Sequence, residues 1–491
     1  MSKKMCRIIF PLLLVLVIMF AGLLSANVKV LPEEMQEWGN GESPEYFSIA
    51  GMQFHTAVAV YGLALGISVV VLLWWAAHKE MKIHRVAFVL LMCAGAMIAL
   101  GKWPHANVGW DEDTHRMWAY LFSGWDEYDI RVYFNMFNTW FFGYVPYTLG
   151  MALGKLLGLA ENIALRLSFM AGVMIYSLVC AYAVKITPKY KLTFMTISLL
   201  PTCLFQAAAI TYDATVVSCI LLGVALLIRE LDQQETLLSG RAALGMTVAF
   251  TLGTLAKPAY SPVLVLLWLL PAKKFASKGR MWLFRLVVII LLIMCLSSML
   301  LGMYDDQMAG DSRLPDTDSA GQLEFVLNQP GEFAGMLGNY ILHVLPRLMV
   351  ESSSAWAHLG ANQMTSWLLM ILLWIICPMC CVEEDKAFLL TAKKRTMLAI
   401  IGLLPVFALM FAQYMVSTPV GYHTIEGMQG RYVLPILVCL SLAIMPPEKW
   451  RVHLKKGSRW IALAVSIALV AVIYWDGWTY IISGMQSVTG I

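Results

Sequence analysis

Long apolar runs separated by short polar links dominate the chain, and their lengths predict membrane-spanning helices. Runs at about 1–25, 55–77, 86–101, 163–185, 191–210, 212–229, 241–257, 258–271, 281–302, 366–382, 396–416, 431–447 and 459–480 predict about 13 crossings. The run at 258–271 falls short of the roughly 17 residues a straight crossing needs. It also carries Pro258, Pro262 and Pro271, so it reads as a broken or re-entrant helix. Residues 140–159 are apolar but hold Pro146, several glycines and Lys155, and read as a helix lying along the outer interface. At the N-terminus Lys3, Lys4 and Arg7 precede an apolar run as in a signal peptide. That run is long and the chain stays apolar after it, so a retained first span is expected. The predicted fold is an all-α polytopic membrane protein with outer interfacial helices. It forms one integral membrane domain over 1–491, with N-terminal spans in 1–85 and a core at 86–302 that includes an outer acidic loop, 102–160. A large outer loop follows at 303–365, then C-terminal spans at 366–491. The large loop has an apolar stretch from Phe333 to Val350 and reads as a partly helical lid or acceptor-side cover.

Composition agrees with this class, with 59% hydrophobic and 13% charged residues and a mean hydropathy of +0.70. A net charge of +4, with basic residues confined to links between apolar runs, gives no nucleic-acid-binding face. Those links set the orientation instead. With a cytoplasmic N-terminus and 140–159 not crossing, 25 of the 35 Lys and Arg residues fall inside and the acids fall mostly outside. A crossing at 140–159 would invert every later link against the positive-inside rule. All ten cysteines lie in or beside apolar segments, so disulfides are not expected. Cys377, Cys380 and Cys381 form a CxxCC with no second Cys or His pair at a suitable spacing, and read as small residues at a helix end.

The candidate chemistry starts in Gly109–Tyr120, GWDEDTHRMWAY, on the outer face. His115 is four residues from Asp111 and three from Glu112, so a helix would put the three on one side of a turn. That set suits a proton acceptor, a metal site or a polar helix start. Asp113 adds a third acid. Mutual repulsion would raise the pKa of one member, or a divalent cation would be held by Asp111, Glu112 and Asp113. For His115 the first expectation is a carboxylate's hydrogen-bond partner, ahead of metal ligand or base. Arg166, Asp213, Lys257 and Arg431 converge on the same outer layer in this topology. Taken singly, the three cations suit helix-end anchors and Asp213 suits a helix cap. Together they make a polar pocket with cations that fit phosphate. Nearby aromatics, including Trp110, Trp118 and Tyr120, form an interfacial belt, and some would stack on a sugar ring.

At these residues the chain resembles a bacterial family of predicted membrane proteins, domain of unknown function 2142, commonly encoded among genes for cell-surface polysaccharides. The resemblance rests on WDEDTH at 110–115, TYDA at 211–214, LAKPAYSPVL at 255–264 and QGRYVLP at 429–435, and covers roughly 86–447. Trp110 and Asp113 depart from it, standing where the family has prolines. More distantly the layout is similar to the GT-C superfamily of integral membrane glycosyltransferases. This implies a GT-C-like core and a polyprenyl-phosphate sugar as donor, with a glycan, lipid or protein as acceptor.

The expectation is therefore a glycosyltransferase in the bacterial cell membrane with its site facing outside. Nucleotide sugars are not expected there, so the donor would come from the bilayer. Asp111, or else Glu112, would deprotonate or orient the acceptor hydroxyl. Arg431 and Lys257 would stabilise the leaving phosphate, with Arg166, Gln429 and Tyr432 around the donor and Asp213 in support. The competing expectations are a transporter or flippase for a lipid-linked glycan, which would show mid-membrane charges and a repeat, and a non-catalytic subunit of a polysaccharide export system.

Overall fold

The computed structural model describes residues 46–49, 52–55, 82–101, 109, 111–125, 141–233, 235–306, 316–357, 361, 363–382, 385–386, 390–446 and 450–453. The expected spans at 1–25 and 459–480, and that at 55–77 but for His55, lie outside them. The described chain is mostly helical. Its strands are short: Tyr46–Ile49 (β1) pairs antiparallel with Met52–His55 (β2), and Cys380–Cys381 (β3) pairs parallel with Val452–His453 (β4).

Helices α1 (Ile83–Gly101), α2 (Glu112–Ser123), α3 (Phe141–Leu156) and α4 (Glu161–Ile186) form the first layer. Glycines let α3 lie directly on α4. A Cβ on Gly150 would sit 2.5 Å from the Leu167 carbonyl oxygen, and one on Gly154 2.4 Å from the Ala164 Cβ. This small-residue seam is how helices pack where lipid removes the hydrophobic drive. It uses the residues that weakened 140–159 as a span. With 16 residues α3 is about 24 Å long, and it leaves Phe142, Leu149, Leu153 and Leu156 exposed.

The run expected to cross at 191–210 is two short helices, α5 (Lys191–Ser198) and α6 (Pro201–Ala207). Pro201 has no N–H to continue α5, and it suits the first turn of α6. Next come α7 (Asp213–Asp232) and α8 (Gly240–Ala256), the latter capped by Ser239 Oγ accepting from Ala242 N. The proline-rich run after α8 is a 3₁₀ helix, Pro258–Leu269, at 12 residues still short of a straight crossing. Helix α9 spans Lys278–Asp306.

Part of the large loop is more ordered than the sequence implied. After α10 (Ser319–Asn328), residues Pro330–Glu351 form one helix, α11, with a π turn at Tyr340–Val344. The chain continues with α12 (Gln363–Met379) and α13 (Ala392–Ser417). A 3₁₀ turn at Gly430–Ile436 leads into α14 (Leu437–Ala443). Among the described residues five helices, α4, α7, α9, α11 and α13, are long and apolar enough to cross a membrane by length and composition.

Helix α7 is the centre of the bundle, with 78% of its apolar window buried against 17% for α9 and 11% for α11. The exposed face of α9 is apolar, including Trp282, Leu286, Ile290 and Ile293, whereas that of α11 mixes Leu342 with Glu332, His343 and Arg347. The α9 face suits lipid and not water. Among the nine described cysteines there is no disulfide.

The two ends of α7 differ chemically. At its C-terminal end Lys274 pairs with Glu230 at 2.9 Å and Lys386 with Asp232 at 3.4 Å. Lys191 Nζ donates to the Val184, Lys185 and Thr187 carbonyls that end α4, and Arg395 Nε to Ala443 O at the end of α14. Cations there meet helix C-termini, where the dipole favours them. The other end, about 30 Å away along 20 residues, begins at Asp213.

Candidate functional site

Asp213, Lys257 and Arg431 each sit where a helix starts or stops, which brings charged side chains together without breaking a helix interior. Asp213 opens α7, Lys257 lies between α8 and the first 3₁₀ helix, and Arg431 is in the second 3₁₀ turn. The Asp213 carboxylate is the hub. Its Oδ1 is 3.4 Å from Lys257 Nζ, and its Oδ2 is 3.4 Å from both Arg431 Nε and Gln206 Nε2. Gly430 lets this turn press on α11, since a Cβ there would lie 2.9 Å from Leu348 O.

Arg431 also reaches outward, with Nη2 3.6 Å from Asp111 Oδ2. The Arg431 side chain is 2% exposed and that of Asp111 47%, so the guanidinium links a buried acid to an accessible one. Asp111 precedes α2 in the left-handed region, φ 50°, a conformation that Asp tolerates better than most residues. Two carboxylates and two cations in this group balance in charge. Lys257 Nζ lies 3.9 Å from the centre of the Tyr432 ring and 5.1 Å from that of Tyr212, so aromatic faces replace part of its lost hydration.

Glu112 is placed differently from Asp111. Its carboxylate is buried and accepts from Gly109 N at 3.1 Å and Ile210 N at 3.4 Å. It fastens the start of α2 to the strip before α7. Glu112→Gln replaces one acceptor oxygen by an NH₂ that faces a backbone donor, and should cost about 1–3 kcal/mol. Thermal denaturation in detergent checks this, and an unchanged midpoint would show that the contacts carry no stability.

His115 is buried at 6% exposure. Its hydrogen-bond partner is Tyr144 Oη, 2.5 Å from Nδ1, and not a carboxylate. The Tyr212 ring packs edge-on against it at 4.9 Å. Burial and then the nearby Arg431 charge push its pKa down to about 4 against the raising effect of Asp213 and Asp111, so the imidazole is neutral near pH 7.

The structure thus joins Asp111, His115, Asp213, Lys257, Arg431 and Tyr432. Arg166 is half-buried in α4 and makes none of the ion pairs linking the four other charges. Gln429 precedes the Gly430–Ile436 turn. The Asp113 side chain lies outside the described set, and among the described residues no three His, Cys, Asp or Glu side chains converge as a metal site. Sequence reasoning missed Tyr144, Tyr212 and Gln206. Tyr212 stood next to Asp213 in TYDA, whereas Tyr144 and Gln206 lay in apolar runs whose polar tips were the available signal. Behind Arg431 lies a small cavity of about 10 Å³, lined in part by Glu112, Gln206 and Thr211. That is space for about one water.

The family described as predicted membrane protein (DUF2142) matches residues 132–440. The match takes in Asp213, Lys257 and Arg431 and begins after the Asp111–His115 turn. No curated protein matches, and no solved structure does.

Proposed function

The chain belongs to the DUF2142 family of predicted membrane proteins, and from that premise we propose that it is a GT-C-type glycosyltransferase of the bacterial cell membrane. The donor is a polyprenyl-phosphate sugar taken from the outer leaflet, and the acceptor is a surface glycan, lipid or protein. The observation that carries this reading is Arg431, held by buried Asp213 on one side and offering Nη2 to half-exposed Asp111 on the other. A donor phosphate competes with Asp111 for that guanidinium, with Lys257 beside it. Asp111, released, stands next to the leaving group as the base for an acceptor hydroxyl. Glu112 positions the turn, and Tyr432 and Tyr212 hold Lys257. A divalent cation is not required by this reading, since Lys257 and Arg431 supply the positive charge.

The orientation draws support from the charge difference along α7. Cations cap the helix C-termini at one end, about one hydrocarbon thickness from the Asp213 cluster. In this reading the cationic end is cytoplasmic, as is the N-terminus. Cysteines introduced at Ala276, exposed at the cationic end, and Ala320, exposed near the cluster end, distinguish the two faces. In intact cells Ala320→Cys should react with a membrane-impermeant thiol reagent and Ala276→Cys should not. The reverse pattern would place the site inside and remove the case for a lipid-linked donor. The transfer itself is tested by offering labelled polyprenyl-phosphate sugars to purified protein in vesicles. Release of polyprenyl phosphate with transfer of the sugar is expected, whereas movement of the intact donor across the bilayer without release would support the transporter.

A further inference from the structure

His115 carries a polar atom that the roles assigned above leave unused. Its Nδ1 meets Tyr144 Oη, but Nε2 is buried and has no hydrogen-bond partner among the described residues. Buried polar atoms of this kind are uncommon in folded proteins and call for a physical reason.

The partner on the other side decides which ring nitrogen holds the proton. The Tyr144 phenol is 1% exposed, and among the described residues its hydrogen bond is the one to His115. If Nδ1–H donated to Oη, the phenolic hydrogen would lack an acceptor and the Nε2 lone pair would lack a donor. If instead the phenol donates to Nδ1, a single buried group is left over, the Nε2–H. The second arrangement strands one group and not two. Burial pushes the Tyr144 phenol well up, so it keeps its proton for this bond. Arg431 and Lys257 oppose an imidazolium, while Asp213 and Asp111 favour one. Burial and the cations prevail, and Tyr212 fills the ring's flank.

We propose that Tyr144 is a positioning residue that holds His115 in the Nε2–H tautomer, and that this N–H is a neutral donor kept for a phosphate oxygen of the ligand at the Arg431 cluster. The phosphate identity rests on the function proposed above, whereas the tautomer does not. A neutral donor suits this place. The cluster's two cations are already balanced by Asp111 and Asp213, and a third cation would need its own counter-charge. Donation from Tyr144 into Nδ1 polarises the ring and strengthens the bond that Nε2–H gives.

The test is the ¹⁵N spectrum of purified protein in nanodiscs with labelled histidine rings, His115 being assigned by its absence in His115→Gln. At pH 7 its Nδ1 should be bare and its Nε2 protonated. Adding farnesyl phosphate should move the Nε2 signal and leave the tautomer unchanged. Tyr144→Phe should turn the single tautomer into a mixture. In titrations with the same probe, His115→Gln, whose amide N–H reaches the Nε2 position, should keep affinity within about threefold, and His115→Asn should lose roughly three- to tenfold or more. A protonated Nδ1, or no response of Nε2 to either farnesyl phosphate or inorganic phosphate, would overturn the proposal. An equal response to inorganic phosphate would support the donor role and count against the lipid-linked reading.

Discussion

Arg431→Ala should lower the stability of the protein by about 3–5 kcal/mol, because it strips one of two cations from a buried carboxylate. Asp213 is 3% exposed and meets Arg431 at 3.4 Å, so its charge would be left to Lys257 alone. From the sequence Arg431 was expected to stabilise the leaving phosphate. Its burial makes it a structural ion as well. Thermal denaturation of Arg431→Ala, Asp213→Asn and the double variant separates the two parts. The double variant should be more stable than the sum of the single losses allows, by at least about 1 kcal/mol, as expected of residues in direct contact. Additive losses would mean that the ion pair contributes nothing. Arg431→Lys should keep most of the stability but lose the reach to Asp111, because a point charge replaces a forked one.

Asp111→Asn should lower sugar transfer by about 10²- to 10⁴-fold, the usual range for general-base assistance. Its effect on binding should have the opposite sign. The carboxylate lies 3.6 Å from Arg431 Nη2, where it competes with an incoming phosphate and repels it. The amide does neither, so polyprenyl phosphate should bind at least as tightly to the variant as to the wild type. Lower turnover with undiminished binding is the signature of a group that acts on the reaction and not on the donor. Full turnover in Asp111→Asn would remove it from the chemistry. Because Glu112 is held by two backbone N–H groups, Glu112→Gln should instead report through stability.

Much of this architecture is legible in the sequence because membrane helices carry their own signal. The apolar runs behind Glu161–Ile186, Asp213–Asp232 and Ala392–Ser417 emerge within a few residues of their expected limits. Hydropathy failed where local backbone chemistry decides. Pro201 divides 191–210 into two short helices, whereas the apolar stretch Phe333–Val350, expected to be partly helical, lies in one continuous helix over 330–351. The charged members of the site were visible because a charge in an apolar chain needs a reason. Their division of labour was not. Asp111 and Glu112 are sequence neighbours with equivalent chemistry, and what separates them is contact with Arg431 in one case and Ile210 in the other. Tyr144 meets His115 across 29 residues. No spacing rule reaches that far.

The central claim is that this cluster receives a lipid phosphate. The measurement that tests it most directly is a titration of purified protein in nanodiscs with a polyprenyl phosphate and, in parallel, with the corresponding phosphate-free polyprenol. The account predicts that saturable binding requires the phosphate, that Arg431→Lys weakens it and that Asp111→Asn preserves or strengthens it. Equal binding of the two lipids, unchanged by either substitution, would contradict it.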